Sequence, residues 1–183
     1  MSGTLFCSVN LSLRRFTFDD AAFVLELLNT PAWKKFIGDK NVNSHEDAIN
    51  YIKNGPQSMY AKHGYGLWLV SITETGRPIG MCGLVQRDYL DRPDLGFAFL
   101  PGFEGKGLAY EASMAALTYV QQHYQLDKVY AITLADNIRS RRLLTRCGFV
   151  HDQTITPPGD EGLLLYYYLY DNIIIPLPNS TSI

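Results

Sequence analysis

Cysteine, charge of a single sign and long apolar runs are scarce in this sequence. Its 3 cysteines, Cys7, Cys82 and Cys147, are scattered and odd in number. They offer neither a disulfide framework nor metal-ligand spacing, so reduced thiols in the cytoplasm are the expectation. The 4 histidines, His45, His63, His123 and His151, form no metal pattern, and no metal is expected. With 16 basic and 18 acidic residues the net charge is -2, which gives no general pull toward nucleic acid or an anionic membrane. No apolar run approaches the length of a membrane span. The opening "MSGTLFCSVNLSLRRF" lacks the continuous apolar core of a signal peptide. Internal repeats and low-complexity linkers are missing too.

What is present is enough for one domain with a substantial core: 183 residues, 46% hydrophobic and 19% charged. "LSLRRF" (11–16) alternates as a first strand. Asp19 or Asp20 can cap a helix that runs to about Asn29 and is ended by Pro31. Ser44 with Asp47 resembles a capping box for a second helix, which stops near Gly55-Pro56. "LWLVSIT", "IGMCGLVQRDY" and "DLGFAFL" read as three consecutive strands. A helix follows from about Leu108 to Tyr124, then the strand "KVYAIT", the short helix "NIRSRRLLTRCG" and two closing strands, "FVHDQTI" and "LLLYYYLY". The order predicts an α/β (α+β) domain over 1–183, with a core at 11–170 and a tail at 171–183. Its central sheet is mixed, mostly antiparallel, of six to seven strands with helices on both faces.

Between "DLGFAFL" and the long helix stands "PGFEGKGLAYEA". A glycine-rich strand-to-helix connection is often only a turn, because glycine supplies positive φ. It can also be an anion cradle. The first N–H groups of a helix have no internal partner and sit at the positive end of its dipole, and glycines let a phosphate approach. A dinucleotide fingerprint fits poorly, since Tyr110 occupies the third glycine position and the loop is long and contains Pro101. No Gly-Lys-Ser/Thr of a P-loop occurs.

The same segment resembles the acyl-coenzyme A motif of the GNAT N-acetyltransferases, Gln/Arg-x-x-Gly-x-Gly/Ala, with Glu104, Gly107 and Ala109 at its positions. "NIRSRRLLTRCGF" resembles that family's second motif through Asn137, Ser140, Gly148 and Phe149. The flavour of the first motif, and "FIGD" before a helix, resemble the branch of ribosomal-protein N-terminal acetyltransferases. The resemblance spans about residues 11–170. It implies transfer of acetyl from acetyl-coenzyme A, as cosubstrate, to a primary amine by direct attack in a ternary complex. The acceptor would be a protein N-terminus or a small molecule. Cofactor contacts would come from Phe97, Ala98, Phe99, Leu100, Glu104, Gly105, Lys106, Gly107, Leu108, Ala109 and Asn137. An acyl-coenzyme A sensor without catalysis, and a nicotinamide-dependent oxidoreductase, are the alternative readings. Nucleic acid and membrane are not expected partners, and the chain is expected as monomer or homodimer.

Two departures from the family pattern matter. Glu104 stands where a neutral or basic residue is usual. A carboxylate about 5 Å from a diphosphate costs roughly 1–3 kcal/mol, so its side chain should point outward and leave only its N–H near the ligand. Leu144 stands at the place of the tyrosine that protonates the leaving thiolate in many members, which implies Ser140 as the acid, as in the ribosomal branch. Ser140 can equally be a helix-start serine bonding local backbone. A main-chain N–H around Phe99 or Leu100 would meet the carbonyl oxygen. Asp94 is the candidate base among Asp88, Asp91, Asp160 and Glu161, each of which alone reads as a solvated loop acid. Arg139, Arg141, Arg142 and Arg146 could meet the ribose phosphate or form a solvated face; Lys106, inside the loop, is better placed. Trp33, Phe36, Tyr60, Tyr65 and Trp68 fall where the family builds its acceptor wall, although core packing accounts for most such aromatics.

Overall fold

The computed structural model describes residues 3–157 and 162–170. Asp160, Glu161 and the 171–183 tail lie outside the described residues. The strands are β1 (Phe6–Cys7), β2 (Leu11–Arg14), β3 (Leu67–Ile72), β4 (Pro78–Val85), β5 (Asp94–Phe99), β6 (Lys128–Leu134), β7 (Val150–Ile155) and β8 (Leu163–Leu169). They form one 8-stranded sheet in the order β1-β2-β3-β4-β5-β6-β8-β7. Every neighbouring pair is antiparallel except β5 and β6, which run parallel. The strand beyond the expected six to seven is β1. Two residues are too short to show a period, and only their pairing with Ser12 and Leu13 reveals a strand.

The helices are α1 (Ala21–Leu28), α2 (Pro31–Phe36), α3 (His45–Ile52), α4 (Ser58–His63), α5 (Leu108–His123) and α6 (Ile138–Arg146). Ser44 and Asp47 cap α3 reciprocally, Asp47 N–H donating to Ser44 Oγ at 3.1 Å. Pro31 does more than end α1. It is the first residue of α2, where its missing N–H costs nothing, and Thr30 accepts from Trp33 N–H at 3.3 Å. Gly55-Pro56 does not stop α3 either. The chain widens into a π-helical turn over Lys53–Gln57, which accommodates a residue without an N–H, and continues as α4 to Gly64 at φ 80°.

Helices cover both faces of the sheet. One core lies against α5 and α6 and includes Trp68, Leu84, Leu95, Leu117 and Leu144; the other lies against α1–α3 and includes Val24, Leu27, Trp33, Met81 and Leu100. β3 and β4 are buried along nearly their whole length, which is why they read as continuous apolar runs. Side chains alternate across β5. Leu95, Phe97 and Phe99 face α5, while Ala98 and Leu100 face α1–α3; the same alternation puts Asp94 on the α1–α3 face.

Candidate active site

The sheet opens between β5 and β6. Only Asp94 and Tyr130 are paired there, and beyond them the strands separate. Asp94 and Leu95 are buried, yet Gly96 to Phe99 are only half-buried in the middle of an 8-stranded sheet. The register with β4 decides which main-chain groups face this opening. Leu100 N–H donates to Ile79 O at 2.8 Å, so in the antiparallel ladder Leu100, Ala98 and Gly96 spend their N–H groups on β4. The N–H groups of Phe97 and Phe99 point the other way, into the gap. Of the two donors expected for a carbonyl oxygen, Leu100 is therefore excluded and Phe99 remains. Leu100 itself is a core residue, and Ala98 offers the gap its α1–α3 face rather than its N–H.

At the C-terminal end of β5 the glycine loop leads into α5. Gly102, Gly105 and Gly107 take φ values of 91°, 72° and 80°. A Cβ added at any of the three would meet nothing within 4 Å. The glycines are thus required by backbone conformation, and the space over them is open. Gly107 is the N-cap of α5 and supplies no side-chain cap, while Glu111 N–H bonds Gly107 O at 3.0 Å. The N–H groups of Leu108, Ala109 and Tyr110 consequently lack a helical partner. An uncapped helix start beside open space is a donor set suited to a diphosphate.

α6 begins beside this loop, because it leaves β6 at the same end of the sheet. Two contacts tie the walls together. Glu104 accepts a salt-bridging hydrogen bond from Arg139, and the Arg146 guanidinium lies 4.2 Å over the Tyr110 ring. Glu104 is thus paired with an arginine, which compensates its charge. Arg141 bonds Ala135 O at 3.1 Å, and Lys106 sits 5.6 Å over Phe103. Arg139, Arg141 and Arg146 thus each have a different partner within the fold. An open groove of about 470 Å³ lined by Ile138, Arg141, Arg142, Thr145, Arg146 and Tyr166 flanks α6.

Asn137 is the N-cap of α6, its Oδ1 accepting from Ser140 N–H at 3.1 Å. Asn137 thus does the local backbone bonding. The Ser140 hydroxyl, half-buried, makes no hydrogen bond among the described residues. It shares a helix face with buried Leu144.

On the α1–α3 face the vertex of the opening is polar. Asp94 is 1% exposed and accepts from Arg87 Nε at 2.8 Å. Burial pushes the Asp94 carboxyl up from its ordinary value, against the opposing pull of Arg87. Arg87 also influences Tyr51 on α3, whose phenol burial pushes up to about 12 while the guanidinium pulls it down. Tyr51 meets Trp33 edge-to-face at 6.4 Å. Trp33 Nε1 is buried without a partner. Arg87 and Tyr51 were not singled out by sequence. A lone arginine in a loop and a lone tyrosine on a helix carry no spacing signal; only the fold brings Arg87 to Asp94 and Tyr51 within the electrostatic reach of Arg87. Trp68, Tyr60 and Tyr65 belong instead to the core against α5 and α6.

The family model described as "Acetyltransferase (GNAT) domain" matches residues 10–150. The chain belongs to the GNAT acetyltransferases. An N-acetyltransferase of Bacillus subtilis, YoaA, is 28% identical over 165 residues, covering 88% of this chain and 86% of the relative. The B. subtilis protein YkkB is 30% identical over 140 residues, covering 75% and 79%. Among solved structures, an acetyltransferase from Agrobacterium tumefaciens superimposes with a TM-score of 0.79 at 21% identity, covering 93% of this chain and 96% of that one. This GNAT protein is an acyltransferase whose cosubstrate is acetyl-coenzyme A and whose acceptor is an amine. Its glycine loop and uncapped α5 fit the diphosphate of that cosubstrate. Among the described residues no helix is long and apolar enough to cross a membrane, and no cluster of His, Cys, Asp and Glu is placed to hold a metal ion.

Proposed function

We propose that the chain is a single catalytic unit that acetylates a primary amine, on a protein N-terminus or a small molecule, by direct attack within a ternary complex. The observation that carries this reading is the opening of the sheet after Asp94 and Tyr130, with an uncapped helix start on one side and a buried carboxylate on the other. The diphosphate of acetyl-coenzyme A takes the N–H groups at Gly105 to Ala109, and its peptide-like arm follows the free edge of β5. Of the two free donors on that edge, Phe97 lies nearer Asp94, and its N–H receives the thioester oxygen as it gains negative charge.

The amine nitrogen forms its bond to the thioester carbon, and the carbon–sulfur bond breaks. The proton the amine sheds passes to the buried Asp94 through a water relay, and Ser140 protonates the departing thiolate, then recovers its own proton from solvent. A carboxyl raised by burial is a better proton acceptor than an exposed one, and an α-amine with pKa near 8 needs little assistance. An intermediate on Cys82 or Cys147 is disfavoured, because burial pushes Cys82 up to about 12 and Cys147 up to about 11, far from thiolate at neutral pH. We place the reaction in the cytoplasm, where free cysteines persist.

A thiol-release assay with acetyl-coenzyme A against a panel of peptides and small amines tests the reading. We expect release with a subset of acceptors. Tight binding of acetyl-coenzyme A with no release across the panel would replace it by the sensor reading.

A further inference from the structure

We propose that Arg139 and Glu104 form a partner-exchange clasp beside the anion cradle. Arg139 leaves Glu104 for the diphosphate when acetyl-coenzyme A binds, and returns to Glu104 when coenzyme A departs. This rests on the acetyltransferase reading above and adds to its cradle a side-chain ligand from α6, together with that ligand's internal counter-ion.

Glu104 stands in the glycine loop immediately before Gly105, and Gly107 further on is the N-cap that leaves the first N–H groups of α5 without a side-chain cap. Arg139 stands on the first turn of α6, the helix that follows β6. The salt bridge between them, Arg139 Nη1 donating to Glu104 Oε2, therefore joins the two segments that leave β5 and β6 where those strands separate. A Cβ added at Gly105 or Gly107 meets nothing within 4 Å, so the space over the loop is open to a ligand. Side-chain exposures of 79% for Arg139 and 39% for Glu104 leave the guanidinium free to change partner.

Charge decides what such a pair does when an anion arrives. Arg77 and Lys106 lie 5.1 and 5.6 Å over the Phe103 ring of the same loop, and among the described residues neither pairs with a carboxylate. Glu111, the acid in the first turn of α5, is already held by Ser8 and Asn10. Glu104 is thus the carboxylate that an incoming diphosphate repels, and Arg139 the cation it draws. A diphosphate offers more charge and more acceptor oxygens than one carboxylate, and the guanidinium fork binds phosphate at two points. An exposed ion pair contributes little, so the exchange costs little. Other arginines of α6 have reasons to stay: Arg141 bonds Ala135 O at 3.1 Å, and Arg146 lies 4.2 Å over the Tyr110 ring. The exchange also gives a role to a carboxylate at a motif position that is usually neutral or basic. Product coenzyme A carries the same diphosphate as the substrate, and holding both equally tightly does not speed turnover. A counter-ion that competes for Arg139 loosens that shared handle and eases product departure.

The test is a double-mutant cycle on the Kd of coenzyme A, measured by calorimetry for the wild type, Glu104→Gln, Arg139→Gln and the double variant, with melting temperatures to show that each is folded. We expect Arg139→Gln to weaken binding about 10-fold. Glu104→Gln should tighten it about 3-fold, and should strengthen inhibition by product coenzyme A in the thiol-release assay. In the Arg139→Gln background most of that gain should disappear, because no competition is left to relieve. Arg139→Lys keeps the charge but not the fork, and should bind more weakly than the wild type. Dephospho-coenzyme A, which lacks the 3′-phosphate and keeps the diphosphate, should show the same coupling. An equal gain from Glu104→Gln in both backgrounds, or an Arg139→Lys variant as tight as the wild type, reveals a static charge effect and overturns the inference alone. Coupling that vanishes with dephospho-coenzyme A assigns Arg139 to the 3′-phosphate and overturns it too. A wild type that binds no coenzyme A overturns the acetyltransferase reading as well.

Discussion

Ser140 keeps its hydroxyl unspent because Asn137 has already capped its N–H. Ser140→Ala should therefore leave α6 intact and remove only a proton donor. We expect kcat to fall about 10²-fold, with the KM for acetyl-coenzyme A nearly constant, measured by steady-state thiol release. As the proposed base, Asp94 should set the acid side of the pH profile. Burial disfavours its charged form more than Arg87 favours it, so the carboxylate appears only above the ordinary aspartate range. We expect kcat/KM for the acceptor to rise with pH along a limb displaced upward from that range. Asp94→Asn should abolish that limb and leave the one set by the amine itself. The candidate residues were legible unequally. Asn137, Ser140 and the loop glycines sit in motifs with fixed spacing. Arg87 and Tyr51 do not, and Asp94 was one of several loop acids until its burial distinguished it.

At the scale of elements, the start of α5 that follows the glycine loop is held in place. Its first turn is fastened to the β1–β2 hairpin by Glu111, which accepts from Ser8 Oγ at 2.7 Å, Asn10 N at 2.7 Å and Asn10 Nδ2 at 3.0 Å. Partial burial by itself would raise the Glu111 carboxyl, but the bonds from Asn10 and Ser8 outweigh it and hold the group below its ordinary value. A carboxylate depressed in the folded state stabilises above its unfolded pKa and loses that contribution as pH falls through the folded pKa. Glu111→Gln should thus cost about 1 kcal/mol at neutral pH, a modest figure because the bonds are partly exposed. The deficit should shrink once pH drops below about 4.3, the ordinary glutamate value. Thermal unfolding of both proteins across pH checks this. The capping of α3 by Ser44 and Asp47 was readable because a cap is a local arrangement. The openings of α2 at Pro31 and of α4 beyond Pro56 were not, because proline marks both a helix start and a helix break, and packing chooses between them.

For the whole molecule, binding and stability are one measurement. A ligand at 100 times its Kd adds about 2.7 kcal/mol to unfolding, worth roughly 5–10 °C in a chain of this size. We expect acetyl-coenzyme A to raise the melting temperature by that order and NAD(H) to leave it unchanged. Gly107→Val should lose most of the rise, because φ 80° strains any Cβ-bearing residue and the new side chain enters the space over the cradle. A mixed sheet with helices on both faces followed from the order of periodic segments, but its eighth strand, β1, did not. Its one parallel junction, β5 against β6, did not, since strand partners are chosen by long-range packing.

Local chemistry in the chain was sufficient to determine three things: where a helix must start without a cap, where backbone must turn left-handed, and that charge and apolar content suit a globular protein. Each depends on neighbours a few residues apart. The tertiary structure alone decided that the N–H of Phe99 and not that of Leu100 faces the gap, that Glu104 meets Arg139, and that Arg87 joins Asp94. Those outcomes depend on strand register and on contacts between segments far apart in sequence, where a shift of one residue would turn every N–H and side chain to the opposite side.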